Sequence, residues 1–255
     1  AGIPCDEAEV AAACARLRCL AEEPPSYEKV PPATDDWPYL YLRDRRIPSA
    51  YWQTLILLVL ICGAIVWRTL PDGARPDGHF FFLGSGFLLV EFKSITELAL
   101  LFGSTWIVNA LAISGVLVMI IGANLLVRRW PSFDRRWAYV LLFVTLALNL
   151  LVPLRVLAPQ APFLRGLIAT GLLTLPLFFA GLIFATSLKR TANLPLAFGS
   201  NLLGAFVGGL AEYSSLAGGI RSLYVWAGMF YVLSWVALYW WKGTVIMRRI
   251  RKIGK

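Results

Sequence analysis

The chain has 255 residues, of which 58% are hydrophobic and 15% charged, and its mean hydropathy is +0.66. An ordinary soluble domain is about half apolar and a quarter charged, so this composition excludes a soluble globular domain, a disordered chain and a disulfide-rich secreted scaffold. The formal charge of +9 divides into −3 over residues 1–50 and +12 over residues 51–255, with most of those bases flanking apolar runs. That is the pattern of membrane edges, and nucleic acid is not an expected partner.

Residues 1–20 read as a short helix, acidic at its start (Asp6, Glu7, Glu9) and basic near its end (Arg16, Arg18), as the helix dipole favours. Residues 24–50 carry Pro24, Pro25, Pro31, Pro32, Pro38 and Pro48, which forbid a long helix, so residues 1–50 form an extramembrane N-terminal segment and Pro-rich linker. No signal-peptide pattern opens the sequence, so the chain is expected to be processed or part of something longer. Cys5, Cys14 and Cys19 would include one disulfide if this segment is outside the cell, and Cys62 is inert packing within the first run.

From Tyr51 the sequence becomes seven long apolar runs, at 51–69, 80–102, 104–127, 137–157, 163–188, 195–217 and 221–246. A bilayer core needs about 20 apolar residues in a helix, whereas barrel strands need about ten alternating ones. The fold class predicted is therefore an all-α polytopic membrane protein with about seven transmembrane helices. Residues 51–246 make the bundle, and 247–255 a basic C-terminal tail.

Seven crossings place fourteen Lys/Arg on one side and six on the other. The richer side is expected to be cytoplasmic, with the C-terminus inside and residues 1–50 outside, in a bacterial inner (plasma) membrane. A rival topology, with 80–102 as a re-entrant hairpin, splits the bases fifteen to five and is not separable by counting. The absence of a Gly-Pro break in that run favours a full crossing.

The second run holds Glu91, Lys93 and Glu97 near its middle, each costing roughly 2.5–3.5 kcal/mol at the centre of an inserted helix. Its polar face must point into the bundle or a wet cavity. Lys93 and Glu97 are four apart and share a face. Glu91 lies on another face and needs a partner elsewhere, with Arg155, Arg165 and Asn149 as candidates by type. Glu212 follows Gly204, Gly208 and Gly209, a small-residue seam that lets two helices approach closely. Together with Asn109, Asn124, Asn149 and Asn201 these charges form the candidate intramembrane polar cluster. It reads either as a transport pathway or as internal bonding that pins helices together.

Gly122-Ala-Asn124-Leu-Leu and Gly199-Ser-Asn201-Leu-Leu echo one another, a weak sign of a duplicated unit. His79 has no companion at ligand spacing, so no metal is expected. No nucleotide loop, nucleophile elbow or zinc motif is present, so no catalytic residue and no cofactor are expected. The bases Arg248, Arg249, Arg251 and Lys252 are candidates for anionic lipid head groups.

The stretch Phe80-Phe-Phe-Leu-Gly-Ser-Gly-Phe-Leu-Leu-Val-Glu91-Phe-Lys93, with Leu101-Phe-Gly-Ser-Thr-Trp106, resembles the membrane segments of bacterial spermidine-synthase-like membrane proteins. These are themselves similar to half of a major-facilitator transporter. Gly199 to Gly219 looks like later helices of the same module, and Thr34-Asp35-Asp36-Trp37-Pro38-Tyr39 resembles the point where the soluble domain enters the membrane. The resemblance implies a half-transporter-like bundle of six helices over 80–246. In such proteins the aminopropyl chemistry belongs to a soluble domain whose Gly-rich loop is absent here.

Three functions therefore stand open: a non-catalytic module serving as an anchor or accessory subunit, a transporter or half-transporter for a polar or cationic solute, and the membrane part of a synthase-like enzyme. The expected partners are a bilayer containing anionic lipids and other membrane subunits or a second copy.

Overall fold

The computed structural model describes residues 33–42, 44–69, 74–103, 106–152 and 162–253, with side chains described as far as 239. The predicted helix at 1–20, Cys5, Cys14, Cys19 and Arg155 lie outside the described residues. Among those described, seven long helices form, with no named strand. They are α1 (Ser49–Thr69), α2 (Gly78–Phe102), α3 (Trp106–Arg129), α4 (Arg135–Leu151), α5 (Pro162–Leu188), α6 (Leu194–Ala211) and α7 (Ser222–Ile253). A single 3₁₀ turn, Glu212–Ser214, and one further helical turn, Ser215–Gly218, continue α6 towards α7.

The helix starts are fixed by side chains that accept from otherwise orphaned backbone N–H groups. Asp77 accepts from His79 and Phe80, Asp134 from Arg136, and Asn193 from Leu196. Gly103 ends α2 with φ 87°, a conformation that favours glycine.

Five helical spans are long and apolar enough to cross a membrane, those of α1, α3, α5, α6 with its extension, and α7. Of the other two, α2 carries the three ionisable residues and α4 has 17 residues. Because α2 runs unbroken for 25 residues, the re-entrant hairpin does not form. The last helix runs beyond the predicted 246 to Ile253, so the basic segment 247–255 begins as its continuation rather than as a separate tail. Its 32 residues reach about 48 Å at 1.5 Å each, longer than a bilayer core of about 30 Å.

At the centre, α2 packs against α6, α7, α5 and α3. The core runs through Leu83, Leu89, Val90, Leu142, Leu177, Ile183, Leu223 and Tyr231. The outer faces are apolar as well: Ile107, Leu117, Val118 and Leu125 of α3 are all more than half exposed. Apolar surface this continuous on both faces of the helices is what a lipid solvent requires, and water would not tolerate it. Helix α1 leaves nearly all of its length uncovered by the rest of the chain. It meets the bundle near its start, where Tyr51 lies 5.5 Å from Tyr213 between ring centroids.

Helix α5 continues through Pro176, whose missing N–H leaves the Leu172 carbonyl without its usual intrahelical donor. Asn149 of α4 supplies the replacement, its Nδ2 donating to that oxygen at 3.0 Å. Replacing Asn149 with Leu should therefore orphan a carbonyl inside the bundle and cost about 1–3 kcal/mol in thermal unfolding of the detergent-solubilised protein. An unchanged unfolding midpoint would show that this carbonyl is satisfied in another way.

Candidate functional site

The spacing of four between Lys93 and Glu97 does bring the two together, in an ion pair on one face of α2. Lys93 is 1% exposed and Glu97 22%. The ammonium also stands 4.3 Å from the centre of the Tyr224 ring on α7, an attraction between cation and π-face that gains from the lack of water. Lys93 thus ties α2 to α7 while Glu97 neutralises it. Glu97 Oε2 and the Tyr224 hydroxyl are buried with no hydrogen-bond partner among the described residues.

That end of the bundle is closed by residues 34–39, which the sequence reading placed in an extramembrane linker. Thr34 and Trp37 exchange backbone hydrogen bonds across a tight turn, and Thr34 Oγ1 also accepts from Trp37 N. The turn aims Trp37 inward, where it is 1% exposed and donates from Nε1 to the Leu216 carbonyl at 2.8 Å. Beside it, Asp36 accepts from the backbone N–H of Ile220 through its carbonyl and of Arg221 through Oδ1, both at 2.7 Å. Gly219 has φ 82°, and a Cβ there would meet Asp36 Oδ2 at 2.7 Å, so two constraints select glycine. Tyr39 shares a hydroxyl hydrogen bond with Ser215 Oγ at 2.5 Å, and loss of hydration on burial pushes its phenol above the usual range. The signal for this plug lay in the sequence as a Thr-Asp-Asp turn followed by two aromatics, but its target is about 180 residues away.

The predicted glycine seam forms between α6 and α2. A Cβ on Gly204 would overlap the Phe81 carbonyl, one on Gly208 would press on the Ser85 backbone, and one on Gly84 would strike Asn201. The approach is close enough for Ser85 Oγ to donate to the Gly204 carbonyl at 2.8 Å. Gly209 is less confined, with Leu88 Cδ2 at 3.1 Å from a Cβ there. Glu91, further along α2, and Glu212, in the 3₁₀ turn that follows α6, are both half-buried. Of the partners considered for Glu91, Arg165 instead lies 5.0 Å from the Phe102 ring centre, and Asn149 is committed to Leu172.

The amides do not converge on the charges. Asn109 and Asn124 sit on exposed positions of α3, Asn124 donating back to the Ile120 carbonyl of its own helix. Asn201 is half-buried against α2, so the echo with Asn124 joins residues in different surroundings. The side chains of Arg248, Arg249, Arg251 and Lys252 lie outside the described residues.

A second polar group, not anticipated from the sequence, occupies the opposite end. His79 is 5% exposed, with Nε2 2.8 Å from Ser187 Oγ and Nδ1 2.9 Å from Ser234 Oγ. Tyr139 bonds Ser234 at 2.9 Å, and Arg135 donates to Ser187 at 3.3 Å. One network thereby joins α2, α4, α5 and α7. An isolated His in a sequence gives no sign of such partners, because each serine comes from a different helix.

No family model, no curated protein and no solved structure matches this chain.

Proposed function

We propose that the chain is a non-catalytic integral membrane module, an anchor or accessory subunit of a larger membrane assembly. It crosses the inner membrane of a bacterium seven times, with six helices in a half-transporter-like bundle and the C-terminus in the cytoplasm. The observation that carries this reading is the closure of the Lys93–Glu97 pair. The ammonium has its counter-charge on its own helix, Tyr224 on its other side and the Trp37 plug over that end of the bundle. Lys93 used this way joins α2 to α7 while its charge is neutralised within α2, which is the task of a scaffold. Two further features support it. Arg128, Arg129, Arg135, Arg136, Lys189 and Arg190 gather at the end that the charge rule makes cytoplasmic. Helix α1 also offers an apolar surface that the rest of the chain leaves uncovered.

Solubilised from its own membrane in mild detergent, the chain should run in an assembly larger than its 28.3 kDa, with other subunits in fixed ratio. A lone monodisperse peak of the single chain would contradict the accessory role.

One observation favours the alternative of a half-transporter for a polar or cationic solute: the unpartnered Glu97 Oε2 and Tyr224 hydroxyl beside a buried ammonium. Under that reading, Glu91→Gln or Glu212→Gln abolishes uptake into proteoliposomes while the protein still folds. Wild-type-like uptake in both variants, or none by the native protein, would remove it.

A further inference from the structure

Between α4 and α7, at the end bearing the His79 network, a groove of about 600 Å³ opens on the outer face of the bundle. This lies within the range of about 300–1,000 Å³ typical of sites that hold small molecules. Its walls are two aromatic pairs. Tyr139 and Phe143 of α4 stack at 6.4 Å, and Trp235 and Tyr239 of α7 meet edge to face at 5.6 Å. Val232 completes the apolar lining. The Tyr139 hydroxyl is already engaged by Ser234, and the surface of the groove is almost wholly apolar.

The one charged residue in its lining is Arg136, in the first turn of α4, with its guanidinium carbon 5.9 Å from the Tyr239 ring centre. Arg135 and Arg136 occupy the first turn of α4, where the helix dipole disfavours cations and an acid would be the ordinary choice. Asp134, which caps the Arg136 N–H, is one carboxylate against two guanidinium groups and offsets only half of their charge. Arg128 and Arg129, at the end of α3, and Lys189 and Arg190, after α5, add to the same field. An apolar slot with a cationic rim, at the membrane edge, matches an acyl chain carrying a phosphate.

We propose that this groove binds one anionic phospholipid, its acyl chain lying between the Tyr139–Phe143 and Trp235–Tyr239 pairs and its phosphodiester on Arg136. The proposal rests on the membrane-embedded reading but not on the accessory role, so a chain that proves to be a transporter leaves it intact.

The test is native mass spectrometry of the full chain in mild detergent, titrated with phosphatidylglycerol or phosphatidylcholine of equal chain length. The wild type should retain one phosphatidylglycerol about five- to tenfold more tightly than phosphatidylcholine, because the choline cation of the latter cancels the attraction of its phosphate to Arg136, worth about 1 kcal/mol near the surface. Arg136→Gln should abolish that preference, whereas Arg129→Gln, on the same side but outside the groove, should keep it. Val232→Trp, which fills the slot, should weaken both lipids while leaving the helical circular dichroism unchanged. Equal retention of the two lipids by the wild type, or equal losses in Arg136→Gln and Arg129→Gln, would overturn the proposal. So would a dimer that dissociates in Val232→Trp without any change in bound lipid, which would identify a second copy as the occupant.

Discussion

Glu97→Gln should lower stability by about 3–5 kcal/mol, and Lys93→Met by less, on the order of 1–2 kcal/mol, in SDS or thermal unfolding of the purified protein. The asymmetry follows from exposure. Removing Glu97 strands an ammonium that is 1% exposed, with only the Tyr224 face to stabilise it. Removing Lys93 leaves a side chain that is 22% exposed, less enclosed than the lysine although its Oε2 is buried, while Met fills the vacated space. Equal losses would show that the two charges are equally enclosed, and a larger effect at Lys93 would show that Glu97 sits in the drier environment.

Gly204→Ala should be damaging despite adding one methyl group to a helix, where Ala is ordinarily the better residue by about 0.5–1 kcal/mol. The new Cβ would overlap the Phe81 carbonyl, and backbone cannot move aside as a flexible side chain can. A loss of about 3 kcal/mol or more is expected, at the top of the range for overpacking, because α2 must move away from α6. Two neighbours calibrate the result. Gly209→Ala meets only the end of the Leu88 side chain and should change stability by less than about 1 kcal/mol, while Gly199→Ala enters open space and should gain slightly. If all three variants unfold alike, the seam is not a close backbone contact.

The long elements were legible because lipid demands an apolar stretch of a given length and closed backbone hydrogen bonding, and both demands act locally. All seven runs match helix starts to within two residues and most ends to within a few, from Ser49–Thr69 to Pro162–Leu188. Boundaries slipped where the ending was set by geometry rather than composition. The run predicted to reach 157 ends as helix at Leu151, and the one at 195–217 passes through a 3₁₀ turn at Glu212. The Lys93–Glu97 pair and the glycine seam were also readable, since each follows from a spacing of four on one helix.

The remaining features depend on contacts between distant segments, and spacing carries no information about those. Trp37 looks like a linker aromatic until Leu216 and Ile220 are beside it. Asn149 looks like a member of a polar cluster until the Pro176 gap at Leu172 explains it. His79 looks isolated because Ser187, Ser234 and Tyr139 arrive from three other helices.

Under the proposed function, Lys93, neutralised by Glu97, holds α2 to α7 and serves no solute. The double variant Lys93→Met/Glu97→Leu tests it most directly, because it removes both charges without stranding either. Examined in the native membrane by native gel electrophoresis, the double variant should enter the same assembly as the wild type, in the same amount. A double variant that folds normally yet fails to support the assembly, or loses a membrane activity that the wild type has, would contradict the claim.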